Sequence, residues 1–273
     1  QYSLLDGAIR LEPLFIKANE YKMPSLAITD HGNMFGAVDF YLTAKKYGIK
    51  PIIGCEVYVA PESRFEKTSQ EGITDSSFHL ILLVKNAAGY RNLVSLVSAG
   101  YLEGFYYKPR IDKELLSQHA EGLIALSSCM KGEIQRLLLK GQKENAYKSA
   151  SLYKEIMGER KFYLEIQDQN IPEQKGINRD IIDIARRLSI PLVATNDCHY
   201  IDKRDADAHE ILLCIQTGKT ISDPKRMKFS TDQFYFKSPQ EMKLIFKELP
   251  DAISNTVAIA EGCNLDLSFD KIH

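Results

Sequence analysis

Short apolar runs alternate with longer stretches of helical periodicity along most of this chain. Leu11, Leu14, Phe15, Ala18 and Tyr21 recur at the spacing of one helix face, which predicts a helix over residues 11–22. Met23-Pro24 breaks it, and Ser25-Leu-Ala-Ile-Thr-Asp-His-Gly32 reads as a buried strand running into Asp30 and His31. A helix over residues 35–47 ends at Gly48, and residues 51–59 form a second strand with Glu56 near its middle. Residues 61–77 are polar and aperiodic, as in a surface excursion, before Phe78-His-Leu-Ile-Leu-Leu-Val84 resumes an apolar strand. With no helix between them, this strand is expected to fold back antiparallel on the Glu56 strand, bringing His79 to the same end.

A helix over residues 89–99 leads to Gly104-Phe-Tyr-Tyr-Lys-Pro-Arg110, a loop that interleaves aromatic and basic groups. The rhythm then becomes regular: strand 123–127 ending at Cys129, helices 133–139 and 144–157, strand 162–166 ending at Gln167-Asp168, and helix 174–188. The last strand of the series, Pro191 to Ala194, runs into Thr195-Asn-Asp-Cys-His199. Such alternation means α/β architecture with a mainly parallel sheet, and about six or seven units favour a closed barrel with its chemistry at the strands' carboxyl ends. After Tyr200 the pattern changes to a helix over 205–217, a short edge strand over 233–237, the capping box Ser238-Pro-Gln-Glu241 and a helix over 251–261. The reading is one domain over residues 1–273, a barrel to about residue 200 and a trailing subregion over 201–273.

Length and composition narrow the class without choosing a function. The 273 residues suffice for a substantial core, and 44% hydrophobic with 26% charged is ordinary for a globular protein. Lys plus Arg (35) nearly balances Asp plus Glu (36), so any contact with nucleic acid must use a local patch. No apolar run approaches the roughly 20 residues of a membrane span and no signal peptide opens the chain, so a cytoplasmic setting and no membrane partner are expected. Cys55, Cys129, Cys198, Cys214 and Cys263 form no C-x-x-C pair, which argues for reduced thiols. Opening at Gln1 and stopping at Asp270-Lys-Ile-His273, the chain is expected to be a fragment of a longer protein.

The candidate chemistry gathers at strand ends. Alternation along an extended strand would send Asp197 and His199 to one side and Cys198 to the other, pairing a carboxylate with an imidazole. Asp6, His31, Glu56, His79 and Cys129 stand at comparable positions. Carboxylates can bridge two cations, imidazoles bind terminally and one thiolate adds a soft donor, so the set fits a polynuclear zinc, manganese or iron site with open positions. A structural zinc needs four ligands and favours more Cys. His79 begins its strand, and a buried free Cys such as Cys129 is commonly just a small hydrophobe. Asp30 reads as support for His31 or a turn cap, Glu165 and Asp168 as facing the barrel mouth or a solvated loop, His119 as exposed, and His209 as packed or capping. Lys108, Arg110, Lys131 and Arg204 are candidates to clasp a phosphate or plain surface charges. No P-loop, dinucleotide or serine-hydrolase motif is present, which leaves metal-assisted hydrolysis of a phosphoester.

The blocks Tyr2-Ser-Leu-Leu-Asp-Gly-Ala8, Ala27-Ile-Thr-Asp-His-Gly32, Pro51-Ile-Ile-Gly-Cys-Glu56, Gly104 to Arg110, Leu126-Ser-Ser-Cys129, Ala194-Thr-Asn-Asp-Cys-His-Tyr200 and Ala208 to Gly218 resemble, in order, those of PHP (polymerase and histidinol phosphatase) domains. The branch they resemble is that of bacterial DNA polymerase III alpha subunits. The resemblance implies a distorted seven-stranded TIM-like barrel and a site for two or three divalent cations. It places Asp6, His31, Glu56, His79, Cys129, Asp197 and His199 on ligand positions, with Asp6, Asp197 and His199 catalytic, and Lys108 and Arg110 on a loop near the site. It also implies an H-x-H pair just before the Tyr2 run, which this chain does not contain. The activity implied is metal-dependent removal of nucleotides from a DNA 3′ end, that is, 3′-5′ exonuclease proofreading. The implied partners are DNA, the remainder of the polymerase subunit and other replisome subunits. The alternative is a non-catalytic structural and docking module of the polymerase.

Overall fold

The computed structural model describes residues 2–3, 6–67 and 77–269. Its sheet is organised by the long strand β2 (Lys50–Val59), which follows β1 (Ser25–Ile28) and the helices α1 (Leu11–Glu20) and α2 (Ala37–Lys46). One edge of β2 pairs antiparallel with β3 (Phe78–Val84), from Gly54 opposite Leu83 to Val59 opposite Phe78. Its other edge is divided. β1 runs parallel against Lys50 to Ile53, a single bridge joins His31 to Glu56, and the two-residue β4 (Arg110–Ile111) takes Tyr58 and Val59. Beyond β3 lie β5 (Leu123–Leu126), β6 (Phe162–Ile166) and β7 (Leu192–Ala194), giving the order β1-β2-β3-β5-β6-β7 with β4 branching from β2. Among the described strands only β3 runs against the rest, so the fold-back expected from the missing helix is present.

Seven strands curl into a half-barrel. Among the described residues no ladder joins β7 to β1; Ala8 instead donates its N–H to the His199 carbonyl at 2.8 Å. The strand period of two sorts the side chains. Ile52, Ile81, Leu83, Ile124, Leu126, Tyr163 and Val193 form a buried cluster inside the curl. Val57, Leu80, Leu82, Val84, Ala125, Leu164 and Ile166 face outward into the larger core beneath the helices. Ile259 and Cys263, in and just after α10 (Pro250–Gly262), join the inner cluster, and Asn255 donates to the Leu192 carbonyl at 2.8 Å.

The connecting helices are α3 (Ala87–Leu102), α4 (Lys113–Gln118), α5 (Glu133–Leu139), α6 (Lys143–Met157), α7 (Pro172–Leu188), α8 (Ala206–Thr217) and α9 (Pro239–Ile245). Their ends follow local chemistry: Asn86 and Asp112 cap α3 and α4, and the Ser238–Glu241 box starts α9 as expected. Gly89 lets α3 meet the turn before β5, because a Cβ there would lie 1.8 Å from the Gly122 carbonyl oxygen. Two expectations are corrected. Arg110, read as part of a loop, begins a strand, and the strand expected over 233–237 is one bridge between Tyr200 and Tyr235. In the excursion loop, residues 68–76 lie outside the described ones, as does the terminal His273. Among the described residues no helix is long and apolar enough to cross a membrane.

Candidate metal centre

The inward columns of the curl change from apolar to polar at one end: Ile52 gives way to Glu56 on β2, Ile81 to His79 on β3, Tyr163 to Glu165 on β6, and Val193 to Asp197 beyond β7. β3 is antiparallel, so its first residues, and not its last, reach that end; this is why His79 belongs there. Asp6 comes from the opening turn, where Gly7 donates to the Ser3 carbonyl at 2.8 Å. His31 follows β1 and is fixed by Ser3, whose hydroxyl accepts from His31 N–H at 3.1 Å and donates to Asp30 at 2.6 Å. Asp30 therefore supports the site, as its position suggested.

These side chains converge. Nε2 of His31 lies 3.3 Å from Asp6 Oδ1 and its Nδ1 3.6 Å from Glu56 Oε2. His79 Nδ1 meets Glu56 Oε1, and Nε2 of His199 lies 3.6 Å from Asp6 Oδ2. Nδ1 of His199 is 2.8 Å from the Asp197 carbonyl oxygen and donates there, which fixes the ring with Nε2 as the nitrogen facing Asp6. Two triplets result, Asp6–His31–His199 and His31–Glu56–His79, each with its donor atoms within 4.8 Å of one another. Cys129 and Asp197 lie outside both triplets but on the walls of the same cavities. The backbone turns sharply beside each: Asp197 has φ 25° and Ser128 φ 67°, conformations uncommon for residues with a Cβ. That turn corrects the alternation argument. The strand stops at Ala194, and Asp197 and His199 reach the cavity through an irregular segment that also leaves Cys198 exposed.

Charge is balanced by proximity. Burial alone would raise Asp6, yet the facing imidazoles of His199 and His31 hold it well below the usual carboxylate range. Burial likewise opposes ionisation of Glu56, but the charges of His79 and His31 take it down to about 2. Against its own burial, His31 is pushed up to about 9, chiefly by Glu56 and then Asp6. Asp197 is raised by burial, with the Glu56 carboxylate adding to it, and the Cys129 thiol is raised by burial and then by Asp197. Glu165, buried at the cavity floor, rises to about 7 because desolvation outweighs its bonds from Thr195 and Gln167. Buried Asp6 Oδ1 and His31 Nδ1 have no hydrogen-bond partner among the described residues. Two unsatisfied polar atoms on facing side chains, in a carboxylate and imidazole set, fit a divalent cation.

The cluster separates two cavities. One of about 340 Å³ lies inside the curl and reaches Glu165, Gln167 and Thr195. The other, about 280 Å³, opens at the mouth and is lined also by His79, Lys131, Lys228 and Phe229. Lys131 thus stays near the site, and Lys228, which no motif singled out, joins it. Arg204 is a surface residue beside Asp202. Arg110 requires correction: it is 1% exposed, and its guanidinium donates to the carbonyls of Gly104 (3.1 Å), Arg64 (3.4 Å) and Glu66 (2.8 Å), so it ties loops together and lines neither cavity. Lys108 Nζ sits 5.4 Å from the Tyr58 ring, which in turn packs on His31 and His79. His119 is half-buried with Nδ1 3.1 Å from the Leu115 carbonyl, and Asp168 closes a turn by accepting from Asn170 N–H. His209 is packed, as expected, but with a consequence its sequence position does not reveal: its Nε2 holds the Asp6 carbonyl.

A curled α/β sheet with carboxylate and imidazole donors gathered at one end defines the class of PHP-type domains. Residues 1–169 match the PHP domain, and the chain belongs to that family. It is 51% identical over 264 residues to the DNA polymerase III subunit alpha of Treponema pallidum, a match covering 97% of this chain and 22% of that protein. The same subunit of Thermus aquaticus is 48% identical over 98% of this chain and 22% of its own length. The chain thus spans less than a quarter of the relatives it matches. Among solved structures, it is similar to a protein of Bifidobacterium adolescentis described as a metal-dependent phosphoesterase, with 14% identity, TM-score 0.43, and 89% and 93% of the two chains covered. An amidohydrolase of Chromobacterium violaceum is similar at 14% identity and TM-score 0.45, covering 72% of this chain and 84% of the other.

Proposed function

We propose that this domain is a metal-dependent phosphodiesterase that removes nucleotides from the 3′ end of DNA, within a replicative polymerase whose other parts and subunits are its partners. The observation that carries the reading is the pair of donor triplets, drawn from five separated segments and sharing His31 beside a basic-rimmed cavity. Asp6, His31, Glu56, His79 and His199 would hold the cations, with Cys129 and Asp197 completing the shell. When bound, divalent cations supply Lewis acidity to a phosphoryl oxygen and to the attacking water. The chain's own groups do the rest. Lys131, Lys228 and Lys108 draw in the phosphate. His199, locked through Nδ1, keeps Asp6 oriented. The buried walls exclude bulk water, which strengthens each of these interactions.

The test is elemental analysis of the purified protein together with Mn²⁺- or Zn²⁺-dependent release of mononucleotides from a labelled single strand. Asp197→Asn and His199→Ala are expected to abolish release while leaving the thermal melt close to that of the parent. A protein that takes up no such cation, or variants as active as the parent, would leave only a structural module.

A further inference from the structure

Resting on that reading of the site, we infer that the loop from Gly104 to Arg110 is a stacking platform that selects an unpaired DNA strand over a duplex. The loop is pinned at its base by the Tyr106 N–H donating to the Lys108 carbonyl at 3.0 Å, which leaves Tyr107 at the tip with φ 58°. A residue with a Cβ is disfavoured there, and Asn or Gly would sit more easily. Tyr107 is nevertheless a large aromatic residue and is 78% exposed. Its ring meets Tyr106 edge to face at 4.6 Å and is otherwise open, and strain of this kind gathers where a side chain is held out for a ligand. Phe105, 48% exposed, stacks on Tyr101, which is 42% exposed, so the loop and the end of α3 present further ring faces.

Its placement supplies the occupant. Pro109 packs on Gly32, the residue after His31: a Cβ on Gly32 would lie 2.9 Å from the Pro109 ring. Lys108 lies over Tyr58, whose ring is 6.2 Å from that of His31 and 5.2 Å from that of His79. Lys108 and Pro109 of the loop are therefore one side-chain layer from the donor cluster, and Arg64 neutralises nearby Glu103 and Asp112. Every base has a π-face and every linkage a phosphate, so rings plus a lysine beside a phosphodiester site match a single strand with splayed bases. A base pair still stacked in a duplex cannot offer its face to these rings.

The experiment measures binding, by fluorescence anisotropy in chelator-treated full chain, of a short labelled oligothymidylate and of a blunt duplex of equal length. Tyr107→Asn, which suits the backbone, and Phe105→Ala are each expected to weaken oligothymidylate binding about tenfold, the loss of one base–aromatic stack. Duplex affinity should not change, and Tyr107→Phe should bind like the parent. Unchanged oligothymidylate affinity, equal losses for duplex and single strand, or no binding by the parent would each overturn the inference; the first would mark the patch as a protein-docking surface. Hydrolysis of bis(p-nitrophenyl) phosphate by the parent, a diester without bases, reports separately on the phosphodiesterase reading.

Discussion

Nε2 of His209 lies 2.6 Å from the main-chain oxygen of Asp6, joining the helix α8 to a turn 203 residues earlier in the chain. The imidazole is 2% exposed and packed against Phe229 and Tyr200. The trailing subregion thereby supports the front of the centre, because the Asp6 carbonyl and carboxylate belong to one short turn. His209→Ala should lower affinity for Zn²⁺ or Mn²⁺ by about tenfold or more. It should also cost about 1–3 kcal/mol of stability. Metal titration and thermal melts on the same samples decide the matter: lost stability with intact affinity would make His209 merely a packing residue.

In metal-free protein the centre should impose an optimum of stability at mildly acidic pH. Glu56, held down to about 2 from 4.5, contributes stability that is present above about 4.5 and lost as pH falls toward 2. His31, pushed up to about 9 from 6.5, contributes stability that is full below 6.5 and lost as pH rises through 9. Denaturant melts in chelator should therefore show a maximum between about pH 5 and 6.5, and added cation should flatten the alkaline side. A curve still rising from pH 7 to 9 in chelator would contradict the arrangement.

Glu165 has the opposite sign of linkage to Glu56. Its folded value of about 7 exceeds the ordinary 4.5, so ionising it in place destabilises the fold as pH rises between those values. Glu165→Gln keeps an acceptor for Thr195 and removes the buried charge. It should stabilise metal-free protein by roughly 1–3 kcal/mol at pH 8 and by almost nothing at pH 4. Melting curves at the two pH values check this, and equal effects at both would refute it.

Arg110→Ala should unfold before it fails to bind. Removing a buried guanidinium leaves the carbonyls of Gly104, Arg64 and Glu66 without their charged donor, at a cost of about 2–4 kcal/mol. Arg110→Lys should recover little, since one ammonium cannot span donors arranged as a fork. Chemical denaturation measures the loss. A stable variant with weakened DNA binding would restore the phosphate role first expected for this residue.

Much of this protein was legible before folding. Helix caps such as Ser238 with Glu241, breaks such as Met23-Pro24 and the alternation along β2 and β3 are short-range preferences, set by neighbours in the chain. They located nearly every regular element and placed Asp6, His31, Glu56, His79, Cys129, Asp197 and His199 at element ends. The pattern also showed that β3 must reverse, because no crossover helix precedes it.

What the chain order could not specify depended on contacts between distant segments. Arg110 and Lys108 look alike in a basic loop, yet one is enclosed by carbonyls from residues 64, 66 and 104 and the other rests on Tyr58. Glu165 gave no signal apart from its strand, since its charge state follows from desolvation inside a curl that only the assembled sheet creates. The strand expected over 233–237 became a single bridge between Tyr200 and Tyr235, because the irregular segment after Ala194 meets it partly through side chains, Asn196 donating to the Tyr235 carbonyl at 2.6 Å. Local propensity fixes where side chains can point, whereas burial, pairing and charge depend on which remote atoms fill the space around them; that is why the sequence by itself named candidate donors and only the tertiary structure decided which of them meet.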